Sequence, residues 1–207
     1  MTDALSEEFL QARLADVEGR VKPKRFKHIQ GVADTAALLA RTYGLDERKA
    51  RLAGVLHDWD KGMRDGEIRR RAEELGIVDE VGPWVVEYMP EVLHGPTAAA
   101  ALARAYPEIP ADVLAAVRCH TTAARSMSDL DKVLYIADAI EPSRTCDRAE
   151  QLRSLIGSVS LDELHYRIYQ FWTLALIEHD VVLHPDTIAI WNALAEEKSK
   201  AKKKGYE

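Results

Sequence analysis

Apolar residues recur at spacings of three and four along almost the whole of this chain, and the alternation that a half-buried strand requires is hard to find. That period dictates an all-α fold. The segment "SEEFLQARLADVEG" has Ser6 placed to cap a first helix and Gly19 to end it. After a basic loop, "RVKPKR", comes "FKHIQGVADTAALLARTYG", with Ile29, Val32, Ala36, Leu39 and Tyr43 on one face and Gly44 at the close. Asp46 is placed to cap a third helix, "ERKARLAGVLHDWDKG", ending at Gly62. Shorter helices are expected around "GEIRRRAEELG", "PWVVEYMP" and "PTAAAALARAY", the last with small residues that permit close helix approach. "PADVLAAVRCHT" and "LDKVLYIADAIEP" follow, the second stopping before Pro142 because the residue preceding a proline is pushed out of the helical region. "LDELHYRIYQFWTLALIEHD" and "PDTIAIWNALAEEKSK" add two C-terminal helices.

No repeat or long linker divides the chain, so residues 1–195 read as one domain and 196–207, which ends in the basic "KSKAKKKGYE", as a solvated, partly disordered tail. With 47% hydrophobic and 30% charged residues a sizeable core is expected. The net charge of -6 argues against a protein that coats nucleic acid, while leaving a small anionic ligand open. No apolar run reaches the length of a membrane span, and the acidic start does not resemble a secretory signal, so a cytoplasmic location away from membranes is expected. Cys119 and Cys146 fit no disulfide framework and read as reduced and structural.

The unusual residues fall at helix ends. His28, His57, His94 and His120 sit near the ends of four different helices, with Asp58 and Asp138 similarly placed. A lone histidine on an apolar helix is more often a satisfied core residue than a ligand. Asp138 is harder to explain that way, because an unpaired carboxylate in the apolar "VLYIADAIEP" would cost many kcal/mol unless a cation compensates. Imidazoles and carboxylates together suit divalent iron, manganese, cobalt, nickel or zinc, and the absence of cysteine ligands argues against a closed structural zinc site. Two such metals would favour in-line phosphoryl displacement. Lys61, Arg125, Lys132 and Arg144 are cations flanking these positions.

The order His28, then His57–Asp58, then Asp138 resembles the H…HD…D signature of the all-helical HD-domain metal-dependent phosphohydrolases. HD alone is a weak signal. The stretches "HIQGVADTAALLARTYGLDERKARLAGVLHDWDK", "LHGPTAAA", "CHTTAARSMSDLDKVLYIADAIEPSR" and "VLHPDTIAIWNA" resemble the YqeK family, bacterial symmetrical bis(5′-nucleosyl)-tetraphosphatases. This likeness runs from about Arg25 to Ala193 and implies an HD core over about 25–145 with extra C-terminal helices.

It also implies two divalent metals, iron first, with manganese, cobalt or nickel as alternatives. His28, His57, Asp58 and Asp138 would hold one and His94 and His120 the other, with Asp58 bridging. Asp58 and Lys61 become the catalytic candidates, and Lys61, Thr121, Arg125 and Arg144 the substrate contacts. The implied reaction converts diadenosine tetraphosphate to two ADP by attack of a metal-bridging hydroxide, in a monomer or homodimer. The alternatives are an HD phosphohydrolase acting on another nucleotide and an inactive nucleotide-binding regulator. Ala123 stands where glycine is expected after "HTT", which makes its backbone angle a point to check. His165, with Tyr166, Tyr169 and Trp172, reads as core packing; His179 as a helix end; His184 as a tertiary hydrogen-bonding residue. Asp60 is either a partner of a metal-bound imidazole or an exposed carboxylate.

Overall fold

Caps and glycines set several helix ends where the sequence places them. In this computed structural model, which describes residues 3–204, the Ser6 hydroxyl accepts from the Phe9 amide and starts α1 (Glu7–Glu18). α2 (Pro23–Tyr43) ends at Gly44, whose φ of 76° is the left-handed conformation that glycine adopts without strain. Asp46 accepts from the Arg48 and Lys49 amides and starts α3 (Glu47–Leu56). Then come α4 (Asp65–Glu74), α5 (Val78–Val81), α6 (Pro83–Tyr88) and a 3-10 turn, Pro90–Val92. The remaining helices are α7 (His94–Ala105), α8 (Ala111–Cys119), α9 (Asp129–Ile140), α10 (Asp147–Arg153), α11 (Leu161–Glu178) and α12 (Thr187–Lys204). The described residues are all-α, with no strand.

The core is built where α2, α3, α8 and α9 meet, and Ile29, Leu39, Leu52, Leu56, Leu134, Ile136 and Ile140 are fully buried there. Each such side chain contributes roughly 1.5–3 kcal/mol on burial. α2 and α3 touch at backbone distance: a Cβ on Gly54 would lie 2.5 Å from the Ala33 Cα. α7 approaches α8 the same way, with a Cβ on Gly95 falling 2.9 Å from the Arg118 carbonyl oxygen. These contacts bring the ends of α3, α7 and α8 together. A satellite cluster of Ile68, Val85, Val86, Met89 and Leu93 seats α4, α6 and the 3-10 turn. α11 packs on α9, and α12 is joined to α11 by Tyr166 stacked on Trp191 with ring centroids 5.5 Å apart. No helix among the described residues is long and apolar enough to cross a membrane.

Three local expectations are corrected. The third helix stops at Leu56, not Gly62, and 57–63 continues in tight turns, with Trp59, Lys61 and Met63 amides bonding to the Leu56, Asp58 and Asp60 carbonyls. The expected basic loop is cut short, because Pro23 can occupy a first helical turn and opens α2 there. The basic stretch from 196 is not a disordered tail as far as Lys204 but part of α12, since Ala, Glu and Lys are strong helix formers and Lys198 is held by Glu163 at 3.1 Å. Residues 205–207 lie outside the described residues. α5, the 3-10 turn and α10 have too few apolar positions for periodicity to reveal them.

Candidate metal centre

Four helix ends and the second turn of a fifth helix deliver the six residues to one point. His28 is in the second turn of α2, His57 caps α3 with Asp58 after it, His94 opens α7, His120 caps α8, and Asp138 lies in the last turn of α9. The tight turns after Leu56 allow consecutive His57 and Asp58 to face the same cleft, which a continuing helix would have prevented.

Every one of the four imidazoles is anchored through Nδ1. His57 Nδ1 donates to the Gly54 carbonyl at 2.7 Å, His94 to that of Glu91 at 2.8 Å and His120 to that of Val117 at 2.7 Å. His28 Nδ1 donates to the buried Glu141 carboxylate at 2.9 Å. With Nδ1 carrying the proton, each Nε2 presents a lone pair, and these lone pairs converge. His94 Nε2 and His120 Nε2 are 3.1 Å apart, and His28 Nε2 and His57 Nε2 are buried without a hydrogen-bond partner. Lone pairs facing one another at that range repel unless a cation lies between them.

The carboxylates complete the donor set. Asp58 Oδ2 is 3.3 Å from His57 Nε2 while its Oδ1 is 3.4 Å from His94 Nε2, so one carboxylate addresses both sides of the cluster. Asp138 Oδ1 is 3.0 Å from His28 Nε2. Three overlapping groups have ligand atoms within 4.8 Å of one another: His28, His57 and Asp58; His57, His120 and Asp138; Asp58, His94 and His120. The residues fit a divalent metal in softness, geometry and orphaned donor atoms.

The charges are set accordingly. Burial would raise the Asp58 pKa, but His57, His94 and His120 around it hold the carboxyl well below its ordinary range. For Asp138 the burial effect is likewise outweighed, by the neighbouring His28 imidazole first and then by His57 and His120, and it too is held low. Burial lowers His94, assisted by His120 and Lys61, and burial with His57 pushes His120 down to about 4. His57 moves the other way: burial lowers its pKa, but the adjacent Asp58 charge prevails and raises it. Ionised carboxylates and neutral His94 and His120 are the states that bind a metal.

An HD-domain profile matches residues 25–143. The chain belongs to the HD-domain family. This HD-domain protein is 35% identical over 174 residues to the symmetrical bis(5′-nucleosyl)-tetraphosphatase of Staphylococcus aureus, an alignment spanning 84% of this chain and 88% of that one. It is 32% identical to the protein of the same name from Halalkalibacterium halodurans, across 86% of this chain and 92% of the other. A crystal structure of a predicted HD superfamily hydrolase involved in NAD metabolism, from Clostridium acetobutylicum, superposes with a TM-score of 0.81 at 32% identity, covering 90% of this chain and 97% of that one. The protein is a metal-dependent phosphohydrolase.

Beside the six convergent residues opens a cavity of 330 Å³. Thr121, Asp138 and Arg144 form its polar wall, and Tyr135, Tyr169, Trp172, Leu176 and Val182 its apolar one. Arg144 Nη2 reaches Asp138 Oδ1 at 3.2 Å, and Thr121 Oγ1 is 3.3 Å from both His94 Nε2 and His120 Nε2. Lys61 Nζ stands 3.4 Å from His94 Nδ1 and donates to the Glu91 carbonyl at 3.3 Å; burial lowers its pKa, with Asp58 pulling back.

Two flanking cations are not brought in. Arg125 is exposed and paired with Asp186 at 2.8 Å, outside the cavity wall, and Lys132 is held by Asp129 and Asp162 on the surface. Asp60 is neither an imidazole partner nor exposed: it is buried 3.5 Å from Arg71 Nε, and burial raises its pKa against the pull of that guanidinium. Ala123 has a φ of 60°, so the position does take the conformation that glycine favours, and its methyl group is buried. Sequence reasoning misses Glu141, and also Arg25, whose Nη1 donates to Asp58 Oδ2 at 3.0 Å. It also misses the cavity role of Tyr169 and Trp172, whose aromatic stripe it assigns to core packing, and of His184, which lines the cavity while accepting from the Asp186 amide. His165 is buried against Tyr135 as expected, and His179 caps α11.

Proposed function

We propose that this HD-domain protein hydrolyses diadenosine tetraphosphate at its central anhydride, releasing two ADP. The observation that carries the reading is the set of four Nδ1-anchored imidazoles whose Nε2 atoms converge on Asp58 and Asp138, beside a cavity edged by Arg144. His28, His57, Asp58 and Asp138 would hold one divalent metal and His94 and His120 the other, with Asp58, whose two oxygens face His57 and His94, available to both. Iron is the first choice for both. Bound there, the metals supply hydroxide from water near neutral pH and positive charge opposite the phosphates.

The chain's own residues do the positioning. Arg144 offers a planar fork matched to phosphate oxygens, and Lys61 offers an ammonium that the Glu91 carbonyl keeps in place. Both stabilise charge that spreads over the phosphates and the departing ADP. Arg25 and Arg144 hold the carboxylates from outside at 3.0 and 3.2 Å, leaving their remaining lone pairs for metal. The aromatic wall of Tyr169 and Trp172 suits a purine, and Thr121 offers a hydroxyl between base and metals. The reading takes residues 1–195 as one domain, working in the cytoplasm as a monomer or homodimer. It has no role for Arg125 in substrate contact.

A second reading, hydrolysis of a mononucleotide, is favoured by the cavity volume of 330 Å³, which lies near the lower end for small-ligand sites. Products separate the two. Anaerobically prepared, iron-loaded protein is incubated with diadenosine tetraphosphate and a panel of mononucleotides in ¹⁸O-water, and products are resolved by chromatography and mass. ADP as sole product, with label in one of the two molecules, supports the proposal; orthophosphate or pyrophosphate from a mononucleotide, with the dinucleotide untouched, contradicts it.

A further inference from the structure

A dinucleotide carries two purines, and the cavity beside the metal centre has room for one nucleoside. The second must lie elsewhere. The basic groups indicate where: Arg144 stands on the cavity side at Asp138, while Arg25 and Lys61 stand at Asp58 and His94. A tetraphosphate that follows these cations from Arg144 across the centre emerges beside Lys61. Lys61 is bonded to the Glu91 carbonyl in the short 3-10 turn that directly follows α6.

On α6 two large aromatics are left in solvent. Trp84 is 47% and Tyr88 64% exposed, while Val85 and Val86 between them face the core. The two rings are one helical turn apart, with centroids 5.3 Å from each other and planes tilted by 37°. Met89, the next residue, lines the cavity. Exposed aromatic rings are the usual means by which proteins hold an unpaired base without reading its sequence.

We infer that the Trp84–Tyr88 pair on α6 is the stacking platform for the second purine of the dinucleotide, outside the cavity that takes the first. The inference rests on the reading of the protein as a symmetrical dinucleoside tetraphosphatase. It makes the pair a determinant of specificity: ligands with two purines depend on it and ligands with one do not.

The test uses the metal-loaded full chain and two ligands. One is the non-hydrolysable β,β′-methylene analogue of diadenosine tetraphosphate, whose Kd is measured by calorimetry. The other is adenosine 5′-tetraphosphate, scored by its Ki against diadenosine tetraphosphate turnover. Trp84→Ala combined with Tyr88→Ala should weaken the analogue about tenfold, the scale of one lost base stack, and leave the Ki of the single-purine ligand within about twofold. Trp84→Phe with Tyr88→Phe should restore most of the affinity, and the change in tryptophan emission on binding the analogue should be smaller in Trp84→Phe than in wild type, the remainder coming from Trp172 in the cavity wall. Equal weakening of both ligands, or none of either, overturns the inference. So does a loss of dimer in light scattering that accompanies a parallel weakening of both ligands, which would mark the pair as a self-association surface. If wild type makes no ADP from the dinucleotide, the functional reading fails and the inference with it; if it does and the variants bind like wild type, only the inference fails.

Discussion

His120 and His165 are each 2% exposed, and burial pushes both imidazoles down to about 4, yet they belong to different kinds of site. His165 sits edge-on to Tyr135 with centroids 5.4 Å apart, its buried Nε2 has no hydrogen-bond partner, and it belongs to none of the ligand groups among the described residues. His120 has its Nδ1 fixed by the Val117 carbonyl and its Nε2 aimed at His94 Nε2, with Asp58 and Asp138 around it. Burial therefore does not mark a metal ligand. In the proposed site orientation does: an anchored Nδ1 and an Nε2 that meets other donors.

The difference can be broken most severely at Asp58, the carboxylate that faces both sides of the cluster. Asp58→Ala should lower turnover roughly a thousandfold and reduce bound metal, as read by steady-state kinetics and elemental analysis of one sample. Normal metal content and normal rate together would remove the residue from the site. Next in size is Glu141, which acts only through His28. Glu141→Gln should weaken metal affinity about ten- to a hundredfold, measured by competition with a chelator, because the neutral amide no longer supports the imidazole as a ligand.

On the other side of the comparison, His165→Phe should leave turnover and metal content at pH 7 within about twofold. Its effect belongs to stability. The folded pKa of about 4 lies below the ordinary 6.5, so the unfolded chain binds the extra proton first, and stability is complete above about pH 6.5 and falls as pH drops towards 4. Replacing the imidazole should make urea midpoints at pH 5 fall less, by the equivalent of about 2 kcal/mol, with little change at pH 7. An unchanged slope would show that His165 is not held neutral. The smallest effect is expected at Arg125. Arg125→Ala breaks only an exposed pair with Asp186, so KM should stay within about twofold and the free energy of unfolding within about 0.5 kcal/mol of wild type.

The six convergent residues are readable in the sequence because each lies near a helix end and because Asp138 makes no sense inside an apolar helix without a cation. The glycine expected at position 123 is readable too, and the φ of 60° at Ala123 bears out the conformational point. What sequence cannot show is tertiary partnership. Glu141 precedes Pro142 and reads as a helix terminus, and only the crossing of α2 and α9 puts it against His28. Arg125 and Arg144 are equivalent as charges near His120 and Asp138, but one finds Asp186 and the other finds Asp138. Tyr169 and Trp172 carry helical periodicity, which is the same for a core stripe as for a cavity wall. His57 and Asp58 look like the last turn of a helix, and the change to tight turns after Leu56 depends on packing around them.

The measurement closest to the central claim is the metal stoichiometry of anaerobically reconstituted protein, taken on wild type, His120→Ala and His165→Phe side by side. Two divalent ions per chain are expected in wild type and in His165→Phe, and about one in His120→Ala, with turnover lost alongside the missing ion. Fewer than one ion per chain in fully active wild-type protein, or equal loss from both histidine variants, would contradict the convergence of Nε2 donors as the basis of the site.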